Sequence, residues 1–191
     1  MQLSDLAILN EARRARRAAL LITDLGTGES LVEVEGGESR PDLREAVAKA
    51  YRTGRSGVLE TEDGRRLFLN AQIPPPRIVV IGAVHISQAL AGMAVLAGFD
   101  IRVIDPRTAF ATPERFAGVD LVADWPEDVL ASAPLDAYTA LVAVTHDPKI
   151  DDHPIAAALR ARCFYIGALG SRKTHAKRVE RLLAAGLSAE E

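Results

Sequence analysis

The strongest constraint on this chain is a pair of apolar runs, each followed by a residue of a particular kind. The run 77–81 leads into Gly82, the run 100–104 leads into Asp105, and a helix-length segment lies between them. An apolar strand, a glycine turn, a helix and a second strand that ends in an acid make up the first half of a dinucleotide-binding βαβ unit. Because parallel strands need a crossover connection, the pattern predicts an α/β fold.

The glycine motif of this unit is incomplete. Where a dinucleotide fingerprint has three glycines, this chain reads Gly82-Ala-Val-His-Ile-Ser87 and keeps only the first. Gly82 still permits the tight turn, but Val84 places a branched side chain where the backbone would approach a pyrophosphate. A dinucleotide site and a Rossmann-type turn without a dinucleotide are therefore both open.

Strand and helix patterns alternate from the first run to the end of the chain. Alternation with short connections predicts a Rossmann-like parallel sheet flanked by helices over residues 77–191. The strands are predicted near 77–82, 100–105, 119–123, 139–145 and 163–167, and the helices at 85–97, 153–160 and 171–185, with short ones after Pro113 and Pro126.

The preceding part of the chain has a different pattern. It predicts a helix at 3–18, a hairpin of strands 19–23 and 31–34, a helix at 42–51 and a second hairpin of strands 57–60 and 66–69. Residues 1–73 therefore read as a small α+β N-terminal domain. The three prolines at 74–76 cannot join a sheet interior, which predicts a domain boundary there.

Composition narrows the class of protein. The formal charge of -3 and the pI near 5.9 give no electrostatic reason to expect a nucleic-acid partner. No apolar run approaches the roughly 20 residues that span a bilayer, and the first residues lack signal-peptide features, so we expect a cytoplasmic protein without a membrane partner. The single cysteine, Cys163, precedes an apolar run and is expected to be a buried small hydrophobe.

Polar residues follow four of the five predicted strands. In open α/β sheets, ligands bind beyond the carboxyl ends of the strands, which makes these residues the candidate site. They are Gly82 and His85 after the first strand, Asp105 and Arg107 after the second, Thr145, His146 and Asp147 after the fourth, and Gly167, Gly170, Ser171, Arg172 and Lys173 after the fifth.

Two of these groups suggest ligand chemistry. Asp105 lies where an acid accepts hydrogen bonds from ribose hydroxyls, although it would also suit a cap of its own turn, and Arg107 is available to a phosphate. The segment 167–173 is a glycine turn that opens a helix, with Ser171 placed as N-cap, and such a turn binds anions. The alternative is a capped helix whose exposed basic face continues through Lys177, Arg178 and Arg181.

The histidines leave several roles open. His146 and Asp147, with Asp151 and Asp152 beyond a proline, have the residue types for proton transfer, metal binding, ligand contact or helix capping. No second histidine stands at a recognised ligand spacing, so no metal site is predicted. His85, at the start of a helix, would either contact a pterin or base edge or cap its own turn.

Five segments together resemble a known family. They are Ile81-Gly-Ala-Val-His-Ile-Ser-Gln-Ala-Leu90, Val103-Ile-Asp-Pro-Arg107, Phe110-Ala-Thr-Pro-Glu-Arg-Phe116, Thr145-His-Asp-Pro-Lys-Ile-Asp151 and Tyr165-Ile-Gly-Ala-Leu-Gly-Ser-Arg172. In this order they resemble the C-terminal domain of the XdhC/CoxI family, co-linear from Arg77 to the end of the chain.

The resemblance implies a Rossmann-type chaperone rather than an enzyme. Such a protein binds molybdenum cofactor (molybdopterin), protects it during sulfuration and passes it to xanthine dehydrogenase or a related molybdenum hydroxylase. The implied partners are that hydroxylase and a cysteine desulfurase-type sulfurtransferase, and a homodimer is a further expectation. The alternative function, based on the βαβ unit, is an NAD(P)-dependent oxidoreductase.

The resemblance also assigns roles within the candidate site. The turn 167–170, with Ser171, Arg172 and Lys173, would hold the cofactor phosphate. Asp105 and Arg107 would contact the polar rim, and His85 and His146 would line the pterin side; Thr145 and Asp147 complete the cofactor-binding set.

The chain departs from the family pattern at three places. Val84 replaces a common glycine, and Glu38 stands where a cysteine often follows the glycine pair Gly36-Gly37. The family pattern also continues beyond the equivalent of Glu191, and this last segment is absent here, so that either the chain is a fragment or the domain is completed differently.

Overall fold

The fold is built around two separate sheets, one antiparallel and one parallel. The computed structural model describes residues 2–188 of the chain, which divides into the units Met1–Pro74 and Pro75–Glu191. Prolines 74–76 lie at the division, where their missing N–H groups keep the connecting backbone out of either sheet. Among the helices of residues 2–188, none combines the length and apolar character needed to cross a bilayer.

The first unit is a four-stranded antiparallel sheet with a helix on each face. Its strands lie in the order β2-β1-β4-β3. Val47 and Ala50 of one helix pack against one face of the sheet, while Leu9 and Ala12 of the other pack against the opposite face. The elements are α1 (Leu3–Arg14), β1 (Ala19–Asp24), β2 (Ser30–Val34), α2 (Arg44–Thr53), β3 (Gly57–Glu60) and β4 (Arg66–Gln72). The first helix ends four residues before the predicted end, and Arg16 then takes a left-handed conformation with φ 50°.

The second unit is a five-stranded parallel sheet, which confirms the predicted Rossmann-like fold. Its elements are β5 (Arg77–Ile81), α3 (His85–Leu96), β6 (Asp100–Ile104), β7 (Asp120–Val122), α4 (Pro126–Ser132), β8 (Thr139–Ala143), α5 (Pro148–Arg160), β9 (Tyr165–Ala168) and α6 (Arg172–Ala184). The strands lie in the order β7-β6-β5-β8-β9. The chain first proceeds outward from β5 to β7 and then returns to β8 on the other side of β5. The β5–β8 boundary is therefore the topological switch point, where ligands bind in such sheets.

Both faces of the parallel sheet are covered, because successive strand residues point to opposite sides. Val79 and Ile81 pack with residues of α4 and α5 on one face. Val80 packs with α3 and with the loop residue Phe116 on the other. The carboxyl ends of the strands therefore carry the turns that form the candidate site.

Two helix predictions in this unit are wrong. Residues 113–118 form turns instead of a helix after Pro113. α5 begins at Pro148, five residues before the predicted start, because the Asp147 carboxylate caps it by accepting a hydrogen bond from the Lys149 N–H at 2.9 Å. Proline suits the first helical position, where no intrahelical acceptor is available to an N–H. Pro154 lies buried inside α5.

Cys163 is half-buried against the core of the second unit, and burial raises the pKa of its thiol to about 11. Because only the thiolate is nucleophilic, we expect iodoacetamide at pH 8 to alkylate Cys163 at least about tenfold more slowly than free cysteine. Intact-mass spectrometry of the folded protein over time measures this rate. Alkylation at the rate of the free amino acid would contradict the buried thiol, and alkylation in urea provides the control.

Candidate functional site

The turn after β5 fits tightly against the end of β8. Gly82 has φ +119°, and a Cβ at this position would lie 2.8 Å from Thr145 Cγ2 and 3.1 Å from Val144 Cγ2. The Ser87 hydroxyl donates a hydrogen bond to the Gly82 carbonyl. Both the backbone conformation and the lack of space for a Cβ therefore require glycine at position 82. At the switch point the turn after β5 is in close contact with the end of β8.

Asp105 at the end of β6 is fully buried, at 0% exposure, and accepts four hydrogen bonds. The donors are Ala83 N at 2.7 Å and three groups of Arg107: its backbone N at 2.9 Å, Nε at 2.9 Å and Nη2 at 2.8 Å. Burial raises the pKa of this carboxyl, but the hydrogen bonds from Arg107 and Ala83 outweigh it and hold the pKa below its usual value. We therefore assign Asp105 to positioning the glycine turn and Arg107, in place of the direct ligand contact predicted for it.

Arg107 is fixed from two sides and remains partly accessible, with 32% of its side chain exposed. Its guanidinium lies 4.6 Å from the centre of the Phe110 ring. The hydrogen bond to Asp105 raises its pKa, and the negative charges of Asp147 and Asp151 raise it further. Arg107 therefore presents a permanent positive charge close to the carboxylates that follow β8.

The loop after β8 is organised by Asp151, which is 1% exposed. Its Oδ1 accepts a hydrogen bond from the Thr145 hydroxyl at 2.7 Å, and its Oδ2 accepts one from the His146 N–H at 3.0 Å. Asp147 N donates to Thr145 Oγ1 at 3.0 Å. His146 itself has φ +64° and an exposed side chain. Burial raises the pKa of Asp151, with partial opposition from the Thr145 hydrogen bond and the charge of Arg178.

The acidic residues of this loop are used within the protein. Asp147, not Asp151 or Asp152, caps the following helix, and Asp152 pairs with Arg181, whose Nη2 lies 2.9 Å from Oδ1. Within residues 2–188, no group of three or more His, Cys, Asp and Glu side chains is arranged to hold a metal ion. The observed arrangement fixes the loop conformation and presents His146 to solvent.

The glycine turn after β9 opens α6 as predicted. Leu169 N donates to Ala143 O at 2.9 Å, which keeps the turn next to the end of β8. Ser171 is the N-cap and accepts a hydrogen bond from Thr174 N at 3.2 Å. The backbone N–H groups of Arg172 and Lys173 then have no intrahelical acceptor, and both side chains are exposed.

The other predicted residues lie around this edge. Gly167 is part of β9, where a Cβ would lie 2.9 Å from the Tyr165 ring, so this glycine makes room for the tyrosine. His85 is exposed at the first residue of α3. The contacts described above link Gly82, Thr145 and Asp147, while Arg107 joins them through Asp105 and through the charge of Asp151.

Sequence reasoning missed Arg178. The charge pattern places it in an exposed basic run, but it is 3% exposed, and its Nη2 donates to Leu169 O at 3.0 Å. The helical spacing could have indicated its burial. Thr174, Arg178 and Leu182 are four residues apart and lie on the inner face of α6. Position 178 is therefore a buried cation beneath the glycine turn.

Arg115 was also missed as a positioning residue. Its Nη1 donates to Ala83 O at 3.0 Å and to Phe110 O at 2.7 Å, and its Nη2 donates to Gln88 Oε1 at 3.2 Å. It thus supports the glycine turn from the side opposite to Asp105, which holds Ala83 N. In the sequence Arg115 is a single arginine in a turn-rich segment. Sequence patterns do not distinguish such an arginine from one whose side chain is exposed to solvent.

The carboxyl edge of the sheet thus carries Arg107 after β6, and the cations Arg172, Lys173 and Arg178 with the free backbone N–H groups at the start of α6. The group at the start of α6 suits an anion.

Comparisons with known protein families and with individual proteins point to the same family. Residues 78–191 match the family model described as the XdhC Rossmann domain. The chain is 33% identical over 119 residues to a protein of Bacillus subtilis (strain 168) named as a probable xanthine dehydrogenase subunit, covering 62% of this chain and 35% of that protein. It is 31% identical over 118 residues to the molybdenum cofactor insertion chaperone PaoD of Escherichia coli (strain K12), covering 62% of this chain and 31% of that protein. The matched segment is thus about a third of the length of these curated relatives.

A solved structure supports the fold. The crystal structure of a xanthine dehydrogenase from Bacillus halodurans matches 95% of this chain and 55% of that chain, with a TM-score of 0.60 and 21% sequence identity. At this level of identity the likeness concerns the fold alone.

Proposed function

This chain belongs to the XdhC Rossmann-domain family, and from that premise we propose that it is a molybdenum cofactor chaperone. It binds the cofactor as cargo, protects it during sulfuration and delivers it to xanthine dehydrogenase or a related molybdenum hydroxylase. The observation that carries the proposal is the start of α6, where free backbone N–H groups and exposed basic side chains lie together within the region that the family model covers. The relative named as a molybdenum cofactor insertion chaperone supports the choice of cargo.

The phosphate of the cofactor binds at the start of α6 in this proposal. Free backbone N–H groups and the positive end of the helix dipole favour an anion there. Gly170 carries no side chain over the turn, and the exposed side chains of Arg172 and Lys173 add charge. The residues present therefore fit a phosphate group on physical grounds.

The remaining residues contact the polar rim and the pterin. Arg107, held by Asp105, offers its accessible edge to the rim. His146, held by Asp151 in a left-handed conformation, and His85, at the first turn of α3, offer exposed imidazoles to the donors and acceptors of a pterin. Left-handed backbone at a non-glycine residue recurs at functional sites, which supports the role of His146.

The sulfur in this proposal comes from a partner. The one cysteine of the chain, Cys163, has a raised pKa and is poorly suited to carry a reactive sulfur at neutral pH. A cysteine desulfurase-type sulfurtransferase would therefore act on the bound cofactor, while this chain binds it, orients it and shields it from water.

Replacing Arg172 and Lys173 together by alanine is expected to weaken cofactor binding about tenfold, because two exposed charges next to the phosphate are lost. Titration of purified protein with cofactor released from a molybdoenzyme measures the dissociation constant. Replacing Lys49 and Arg52 on α2 removes the same charge elsewhere and should leave the constant within about twofold. Unchanged affinity of the Arg172/Lys173 variant would overturn the phosphate assignment.

NADH serves as the parallel ligand, because the strand order and the Gly82 turn also favour a dinucleotide. Saturable binding of the cofactor without binding of NADH would support the chaperone. Binding of NADH alone would favour an NAD(P)-dependent oxidoreductase instead.

A further inference from the structure

Arg178 is a buried cation whose hydrogen-bonding capacity is mostly unused. It is 3% exposed, and its Nε and Nη1 have no hydrogen-bond partner among residues 2–188. Its Nη2 is engaged with the carbonyl of Leu169. Burying a charged group whose hydrogen bonds are not made costs free energy, and native proteins seldom leave buried polar groups without hydrogen-bond partners.

The guanidinium lies directly beneath the glycine turn. A Cβ at Gly170 would lie 3.9 Å from Arg178 Nη2 and 3.3 Å from Thr174 Cβ. Residue 170 is exposed and has no side chain, so no side chain at this position covers Arg178 Nη2. The buried cation and the free amide groups of Arg172 and Lys173 therefore flank the same short segment.

Asp151 is a buried negative charge that interacts with Arg178. This electrostatic interaction lowers the pKa of the aspartate, although burial raises that pKa more. Both oxygens of Asp151 already accept hydrogen bonds, from the Thr145 hydroxyl and the His146 N–H. Asp151 thus offsets part of the charge without serving as the acceptor for Nε or Nη1.

We propose that Arg178 is the principal anion-binding residue of this site and that it donates hydrogen bonds to a phosphate group held at the start of α6. A phosphate has several charged acceptor oxygens, so it can accept from the guanidinium and from the helix amides at once. The exposed side chains of Arg172 and Lys173 then add positive charge next to the phosphate without being its principal ligands. The anion site follows from this chain's own residues, whereas its assignment to the cofactor's phosphate rests on the proposed function.

Titration with inorganic phosphate at constant ionic strength, followed by two-dimensional amide NMR, tests the proposal. Phosphate should shift the Arg178 Nε–H signal together with the backbone amides of Arg172 and Lys173, and all three should give one dissociation constant. Arg178→Met should weaken phosphate binding at least tenfold. Arg178→Lys keeps the charge and should weaken it less, and it is the variant to use if the methionine variant does not fold.

Lys177→Met is the matched control. It removes one positive charge from the neighbouring, exposed position of α6 and should leave the phosphate constant within twofold of the wild type. If Arg178→Lys and Arg178→Met bind phosphate as the wild type does, or if the Arg178 Nε–H signal does not move, the proposal is overturned.

A second titration, with molybdenum cofactor, separates this proposal from the proposed function. Phosphate binding that depends on Arg178, without cofactor binding, would support the anion site and overturn the cofactor assignment. Cofactor binding that is equal in the wild type and in the Arg178 variants would leave the chaperone function intact and overturn the role of Arg178.

Discussion

Replacing Gly82 by alanine is expected to destabilise the second unit by about 2–4 kcal/mol. The new Cβ would lie 2.8 Å from Thr145 Cγ2, and the backbone at φ +119° disfavours any side chain. The clash would lie between the ends of β5 and β8, so it would disturb the central strand of the sheet and its neighbour. Trp125, the only tryptophan of the chain, lies in the second unit, so its fluorescence during urea denaturation reports on that unit.

Two further variants separate the contribution of backbone strain at position 82 from that of the steric clash with Thr145. Gly98 has φ +80° with open space around its Cβ position, so Gly98→Ala should cost only about 1 kcal/mol. Thr145→Ser removes the γ-methyl group and keeps the hydroxyl that bonds Asp151, so it should recover part of the loss in a Gly82→Ala background. Equal effects of Gly82→Ala and Gly98→Ala would show that the contact with Thr145 is unimportant.

Asp105→Asn is expected to cost about 2–4 kcal/mol at pH 7, because the buried carboxylate accepts hydrogen bonds from Ala83 and from Arg107. An asparagine of the same size would turn an NH₂ group toward one of these donors and would lose the charge that Arg107 faces. The expected loss is moderate because a third of the Arg107 side chain is exposed, and solvent screens part of its interaction with Asp105. The same fluorescence-detected unfolding measures the loss.

The effect of Asp105→Asn should depend on pH with a defined sign. The pKa of Asp105 is lowered in the folded protein, so its ionisation contributes stability above the unfolded pKa of about 3.9. That contribution is lost as pH falls through the lower, folded value. The difference between wild type and variant should therefore be full at pH 7 and shrink below about pH 4.

Asp120→Asn provides the matched control for Asp105→Asn. Asp120 pairs with Arg102 at 2.7 Å, but its side chain is 52% exposed. Exposed ion pairs contribute roughly 0–1 kcal/mol, so the same substitution should have little effect here. A loss as large as that of Asp105→Asn would contradict the view that burial gives Asp105 its importance.

The parallel sheet and the polar residues at its strand ends were predictable because they depend on local patterns. Apolar runs, short connections and polar strand ends are read directly from the chain, and the glycine turn at 82 requires only one residue to be recognised. The start of α5 was missed for a physical reason. Pro148 and Pro154 both suggest breaks, but the first suits a helix start and the second is accommodated in a buried helix interior.

The details of the site were less predictable because they depend on contacts distant in sequence. Asp105 looked available to a ligand, and only the positions of Ala83 and Arg107 around it show that its oxygens are used. Arg178 looked exposed because it stands among other basic residues. Its burial accompanies the packing of α6 against α5, which the local charge pattern does not reveal.

The central position of β5 also sets an order of events during synthesis. β5 is the first strand of its sheet to be made, yet its partner on one side, β8, is made only after β6, β7 and α4. Until then one edge of the central strand has no partner, and Gly82 has no Thr145 to pack against. The edge that carries the candidate site therefore forms only after β8 and the start of α6 have been made.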